Sequence, residues 1–161
     1  MASPPLPGAT TVRVLYVEDD AAIRTLVRMV LEGTGRYGVT CCASGAEALE
    51  RAVEADHDLL LLDVMMPGMD GIETLAALRA LLPDPSVPAV FLTARSLASD
   101  RPELLAAGAV RIVTKPFLPD RLVAALDEVM AGAQEPRPAA EDRNPVGPRR
   151  DPGQSKVTPP S

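Results

Sequence analysis

Leu59-Leu60-Leu61-Leu62-Asp63-Val64-Met65-Met66-Pro67-Gly68-Met69-Asp70-Gly71 is the stretch of this 161-residue chain that decides its fold. Four leucines are too few for a helix and suit a central strand covered on both faces. An acid, Asp63, closes the run. A loop with Pro67 and Gly68 follows, and Asp70 with Glu73 three residues on opens a helix in the manner of a capping pair. Ile72, Leu75, Leu78 and Leu82 continue that helix, and Pro83, Pro85 and Pro88 end it. The unit is therefore strand, polar corner, helix.

The same alternation runs outward in both directions. Upstream, Val12–Val17 reads as a buried strand, followed by a helix carrying Ile23, Leu26, Val27, Val30 and Leu31 on one face. Val39–Ala43 reads as a second strand, and Ser44 with Glu47 as a capping box for a helix reaching about Ala55. Downstream, Ala89–Leu92 is a fourth strand. Asp100 with Glu103 is expected to cap a short helix holding Pro102 in its first turn. Arg111–Val113 is a fifth strand, and Leu122, Val123, Leu126, Val129 and Met130 lie on one face of a last helix. Five β–α units in series imply an α/β fold, a parallel sheet with helices on both faces. In such sheets ligands bind at the carboxyl ends of the strands.

Composition narrows the function. The net charge is −6, which opposes direct binding of DNA or RNA. No apolar run approaches the roughly 20 residues that span a bilayer, and Met1–Gly8 lacks a signal-peptide pattern, so a cytoplasmic location without membrane contact is expected. Cys41 and Cys42 are adjacent and read as reduced, small strand residues. Residues 1–10 are expected to be a disordered leader and residues 132–161, with seven prolines, a disordered tail; the domain is expected over 11–131. With those segments disordered, no DNA-binding domain is expected in this sequence. His57, the only histidine, precedes Asp58 and a strand and reads as a surface residue.

Chemistry gathers at the strand ends. The first strand ends in Glu18-Asp19-Asp20, the third in Asp63, the fourth in Thr93-Ala94 and the fifth in Thr114-Lys115-Pro116-Phe117. The chain has fourteen arginines and only two lysines, and Lys156 lies in the expected tail. A chain so biased toward Arg places Lys115 where a compact point charge is wanted rather than a planar fork. Glu18, Asp19 and Asp63 at one edge would repel one another, and a divalent cation together with Lys115 would balance them. Pro116 restricts the lysine backbone to extended conformations and leaves both cis and trans open for the Lys115–Pro116 bond.

Taken together, Val17-Glu18-Asp19-Asp20, the run Asp63 to Gly71, Phe91-Leu92-Thr93-Ala94, Ala107-Gly108-Ala109 and Lys115-Pro116-Phe117 resemble the receiver domain of two-component response regulators, over about residues 11–131. The resemblance implies a flavodoxin-like, doubly wound (βα)5 sheet with strand order 2-1-3-4-5. It implies that Asp63 accepts a phosphoryl group from a phosphohistidine of a sensor histidine kinase or a His-containing phosphotransfer protein. It implies a Mg²⁺ ion held by Asp19, Asp63 and the backbone carbonyl of Met65, with Glu18 acting mostly through water. Thr93 and Lys115 would bind the phosphoryl oxygens, and Ala94 would leave them room. Such a receiver is not an enzyme acting on a separate substrate; it promotes its own phosphorylation and dephosphorylation. A stand-alone receiver signalling to an unknown downstream protein is the expectation.

Alternatives make distinct demands. A haloacid-dehalogenase-type phosphatase needs a second acid two residues after the nucleophile, where this chain has Met65. A phosphate-independent interaction module would be expected to lack an acid, the Thr or the Lys, and none is missing. A histidine phosphotransfer role would put His57 on an exposed helix face. Two departures from the receiver pattern also stand out. Ile112 occupies the position that often carries an aromatic switch residue, three before the lysine, and Val110-Arg111 replaces an acidic stretch. Met65 and Arg95 border the expected site and are expected to slow hydrolysis of the phosphorylated state, Met65 because it cannot orient a water and Arg95 by lying over the phosphoryl group.

Overall fold

A computed structural model describes residues 11–94 and 100–134. The elements run β1 (Val12–Val17), α1 (Ala21–Gly33), β2 (Tyr37–Cys42), α2 (Gly45–Ala52), β3 (Leu59–Asp63), α3 (Gly71–Leu81), β4 (Ala89–Thr93), α4 (Arg101–Ala106), β5 (Arg111–Thr114) and α5 (Pro119–Gln134). The five strands form one parallel sheet in the order β2-β1-β3-β4-β5. This is the doubly wound arrangement expected, with β1 and β3 flanking the point where the strand order reverses.

Alternation along the strands divides the core into two layers. Leu60 and Leu62 of β3 join Leu15, Val17, Leu75, Leu78, Phe91 and Leu104 on the face covered by α2, α3 and α4. Leu59 and Leu61 join Val14, Tyr16, Val27, Leu31, Leu122 and Leu126 on the face covered by α1 and α5. The four-leucine run is buried on both sides, as a central parallel strand requires.

β3, β4 and β5 each extend one residue past their expected ends, to Asp63, Thr93 and Thr114. Polar side chains had marked the ends, but parallel pairing continues through them: Asp63 lies in register with Leu92, and Thr93 with Thr114. β2 starts two residues early, at Tyr37, and ends at Cys42, while α2 stops at Ala52 rather than Ala55. α5 continues to Gln134, three residues into the expected tail. The leader over 1–10 and the tail beyond Gln134 lie outside the described residues.

Caps follow residue chemistry with two exceptions. Asp70 and Glu73 form the reciprocal capping box on α3. Ser44 Oγ accepts from Glu47 N, but the Glu47 carboxylate reaches past the cap residue to Ala43 N. Asp100 does not cap α4: its backbone is already helical and its side chain makes no cap hydrogen bond. On α1, Leu26 is half-exposed, and only Val27 and Leu31 are fully buried. Cys41 and Cys42 are free thiols, the second buried.

His57 is a correction. It is 8% exposed, and among the described residues neither ring nitrogen has a hydrogen-bond partner. Sequence order put it in a turn before the strand. In the structure, pairing with β1 begins earlier: Asp58 N donates to Arg13 O at 2.8 Å, and Asp58 takes Arg13 in a two-pronged ion pair. That pulls the chain against the sheet one residue after His57. The ring lines a hollow shared with Leu82 and Val87. Burial is the main influence on its pKa and lowers it from the ordinary value.

Candidate functional site

Each strand delivers its group to the same edge because the next residue is tied to a neighbouring strand. Glu18 N donates to Cys42 O at 3.0 Å, Val64 N to Leu92 O at 2.9 Å and Lys115 N to Thr93 O at 2.7 Å. Side chains just before or at these ties cannot swing away from the sheet edge. The Lys115–Pro116 peptide is cis.

The side chains converge. Glu18, Asp19 and Asp63 each place a carboxylate oxygen within 4.8 Å of the others. Glu18 is 1% exposed and Asp63 4% exposed, while Asp19 faces solvent. Lys115 Nζ lies 2.6 Å from Glu18 Oε2 and 3.4 Å from Asp63 Oδ1. The ammonium thus bridges both buried carboxylates and sits closer to Glu18 than to Asp63. Two buried carboxylates beside one ammonium leave excess negative charge in a low-dielectric setting. Burial accordingly raises the pKa of Glu18; the Lys115 hydrogen bond pulls it back, and the Asp63 charge adds to the rise.

Tyr16 was not singled out from sequence. It is fully buried on the α1–α5 side of β1, with its hydroxyl 3.5 Å from Glu18 Oε2. Burial first, and the Glu18 charge second, raise its pKa, so it stays neutral and donates to the carboxylate. Its spacing of two residues from Glu18, which continues β1 by one residue, was the available signal, since extended backbone then points both side chains to one face. Thr93 is fully buried at the end of β4, on the strand next to Asp63. Met65 N donates to Asp63 Oδ1 at 3.3 Å, orienting the carboxylate, and the Met65 side chain is 54% exposed beside it. Arg95, expected to overlie the site, falls outside the described residues.

The loop after Asp63 is held by close backbone contact. Gly71 N donates to Val64 O at 2.9 Å. A Cβ on Gly71 would lie 2.8 Å from Val64 Cα and closer still to the Asp63 carbonyl, so only glycine fits. Gly68 turns the loop with φ of +76°. Ile112 is buried in register with Phe91, inside the core facing α2, α3 and α4. No aromatic ring occupies that position.

An all-oxygen, acidic donor set at a solvent-facing edge suits a hard divalent cation that keeps part of its water shell. Asp19, Asp63 and Glu18 are the carboxylates placed to hold one.

The sequence matches the model of the response regulator receiver domain over residues 14–127. The chain belongs to the receiver domain family. Among curated relatives, this receiver is 36% identical over 123 residues to the transcriptional regulatory protein ResD of Bacillus subtilis, covering 76% of this chain and 50% of ResD. It is 41% identical over 112 residues to the DNA-binding response regulator MtrA of Mycolicibacterium paratuberculosis, covering 70% of this chain and 48% of MtrA. The chain spans about half the length of these relatives. Among solved structures, the receiver overlays the Vibrio cholerae chemotaxis protein CheY4 with a TM-score of 0.71 and 35% identity, covering 74% of this chain and 99% of CheY4. It overlays the Francisella response regulator 1452 receiver domain with a TM-score of 0.70 and 28% identity, covering 77% of this chain. Among the described residues, no helix is long and apolar enough to cross a membrane.

Proposed function

We propose that this receiver takes a phosphoryl group onto Asp63 in a Mg²⁺-dependent reaction and passes the signal on by protein contact. The observation that carries the reading is the placement of Asp63: a carboxylate 4% exposed at a parallel strand's carboxyl end, 3.4 Å from Lys115 Nζ and grouped with Glu18 and Asp19.

The donor is a phosphohistidine on a sensor kinase or a phosphotransfer protein, or a small acyl phosphate. An Asp63 oxygen attacks phosphorus, the P–N or P–O bond to the donor breaks, and the electron pair leaves with the donor group. Met65 N–H holds one Asp63 oxygen, which aims the other. Lys115 moves its ammonium toward the incoming phosphoryl oxygens, and the Thr93 hydroxyl donates to another. Asp19, Asp63 and the Met65 carbonyl would hold Mg²⁺, with Glu18 acting through water. A Mg²⁺ ion held there would supply positive charge against the charge that builds on the phosphoryl group. The chain acts on itself and is not an enzyme with a separate substrate. Its place is the cytoplasm, its output an unidentified protein, and it needs no nucleic acid contact of its own.

Incubation with acetyl phosphate and Mg²⁺, followed by intact-mass measurement, tests this. The expected result is one added phosphoryl group in the wild type and none without Mg²⁺. Equal uptake with and without the metal would contradict it.

A further inference from the structure

Three consecutive acids follow β1, and three like charges on adjacent residues repel. The turn is nonetheless fastened at almost every polar group. Glu18 N donates to Cys42 O at 3.0 Å, and Asp20 N to Glu18 Oε1 at 3.3 Å. Asp20 Oδ1 caps α1, accepting from Ala22 N at 2.9 Å and Ile23 N at 3.0 Å. The carbonyls of Glu18 and Asp19 fall between strand and helix, where neither ladder supplies a donor.

Arg24 supplies it. From the first turns of α1 its Nη1 reaches back to Glu18 O at 2.7 Å and Asp19 O at 3.4 Å. Its choice of partner is informative. Arg28, one turn on, takes the carboxylate of Glu32. Arg24 has three carboxylates next to its target, yet among the described residues it forms no ion pair with any of them. Its donors go to main chain. Asp19 is the one acid of the three whose carboxylate has no hydrogen bond or ion pair among the described residues, and it is the exposed member of the carboxylate cluster.

We propose that Arg24 is a positioning residue for the metal site: its grip on the Glu18 and Asp19 carbonyls fixes the turn that presents the Asp19 carboxylate to the cation. The inference rests on the Mg²⁺-dependent reading above. Two effects oppose each other. A guanidinium beside the site repels Mg²⁺, so loss of its charge alone would tighten binding. Loss of the two carbonyl bonds frees the turn, and the acids then separate, which weakens binding. The charge sits partly in solvent and is spread over a planar group, so it is screened. The carbonyl bonds are charge-assisted and fix the backbone of the ligand itself. The positioning effect wins.

Isothermal titration of the full chain with Mg²⁺ alone decides this. Arg24→Met is expected to bind Mg²⁺ about tenfold more weakly, the scale of one charge-assisted hydrogen bond. Arg24→Lys keeps the charge but offers a point donor that holds one carbonyl, so it is expected between Met and wild type. Thermal melts in the absence of Mg²⁺ separate this from a merely structural role, which would lower the melting midpoint and leave affinity unchanged. Arg24→Met binding Mg²⁺ as tightly as wild type, or more tightly, overturns the proposal. Where Arg24→Met does not fold, Arg24→Lys decides: affinity equal to wild type shows that the grip on both carbonyls does not set the site and overturns it. Asp19→Ala is run alongside. If its Mg²⁺ affinity also equals wild type, the metal site itself has been assigned wrongly and both readings fall; if it loses affinity while the Arg24 variants do not, only the role of Arg24 falls.

Discussion

At the carboxyl end of the sheet, Glu18 and Asp63 lie buried beside Lys115; at the amino end, His57 is buried without a hydrogen-bond partner among the described residues, while the charges of Arg13 and Asp58 pair in partial contact with solvent. Burying a carboxylate is costly unless it is paired. The amino end avoids that cost by keeping its buried group neutral and its charges outside. The carboxyl end accepts it, with two carboxylates sharing one ammonium, and offsets it with the Tyr16 hydroxyl and backbone donors at Asp20 and Met65. A fold keeps an arrangement that costs stability where its chemistry is needed. The contrast makes the carboxyl end the candidate site on energetic grounds as well as on the family pattern.

The comparison breaks first at Gly71. Gly71→Ala sets a methyl against the Asp63 carbonyl and Val64 Cα, both backbone and unable to yield. We expect a loss of about 1–3 kcal/mol in urea unfolding, toward the top of the range usual for overpacking. A neutral substitution would mean that the loop after β3 is not held against the strand.

Lys115→Arg tests whether the carboxyl end needs a point charge or only a positive one. The ion pair persists, so thermal stability should change little, while phosphoryl uptake slows about tenfold or more, on the order of one misplaced charge-assisted hydrogen bond. Wild-type uptake would show that any cation serves there.

His57 sharpens the other half. Its pKa is lowered by burial, so the folded state favours the neutral ring. The sign follows from linkage: the unfolded chain binds more protons near and below the ordinary value of 6.5, so this contribution is complete above that pH and is lost as pH falls. Stability of the wild type should fall more steeply from pH 6.5 to pH 5 than that of His57→Leu, by at most about 1.4 kcal/mol per pH unit for one proton. As the chain's only histidine, it can also be followed directly by NMR titration. Parallel pH profiles for the two proteins would mean that the ring is accessible after all.

What the sequence disclosed and what it withheld divide along the same line of local against distant contacts. The Leu59–Leu62 run, the Asp70–Glu73 box and the helical spacing of Leu75 and Leu78 are local patterns, and each became the element it foretold. Asp63, Glu18, Asp19, Thr93 and Lys115 were placed at strand ends, and the parallel register brought the strand ends together. The burial of His57 depends on Arg13 meeting Asp58, 45 residues away, which no local pattern encodes. The preference of Lys115 for Glu18 over Asp63 is a contact across 97 residues, decided by side-chain packing. The role of Arg24 is not legible in the sequence, because a polar residue turned back toward the preceding loop leaves no mark in the apolar periodicity of the helix. Leu26 shows the converse error: apolar spacing put it on the buried face, and the structure leaves it half-exposed.

The central claim is that Asp63 is the phosphoacceptor. An acyl phosphate formed on an aspartate can be reduced with borohydride to homoserine, marking the residue that carried it. After acetyl phosphate and Mg²⁺ treatment, reduction and peptide mapping, the account predicts homoserine at position 63 and nowhere else, with no reduced residue in Asp63→Asn. Homoserine at position 19, or undiminished phosphorylation of Asp63→Asn, would contradict it.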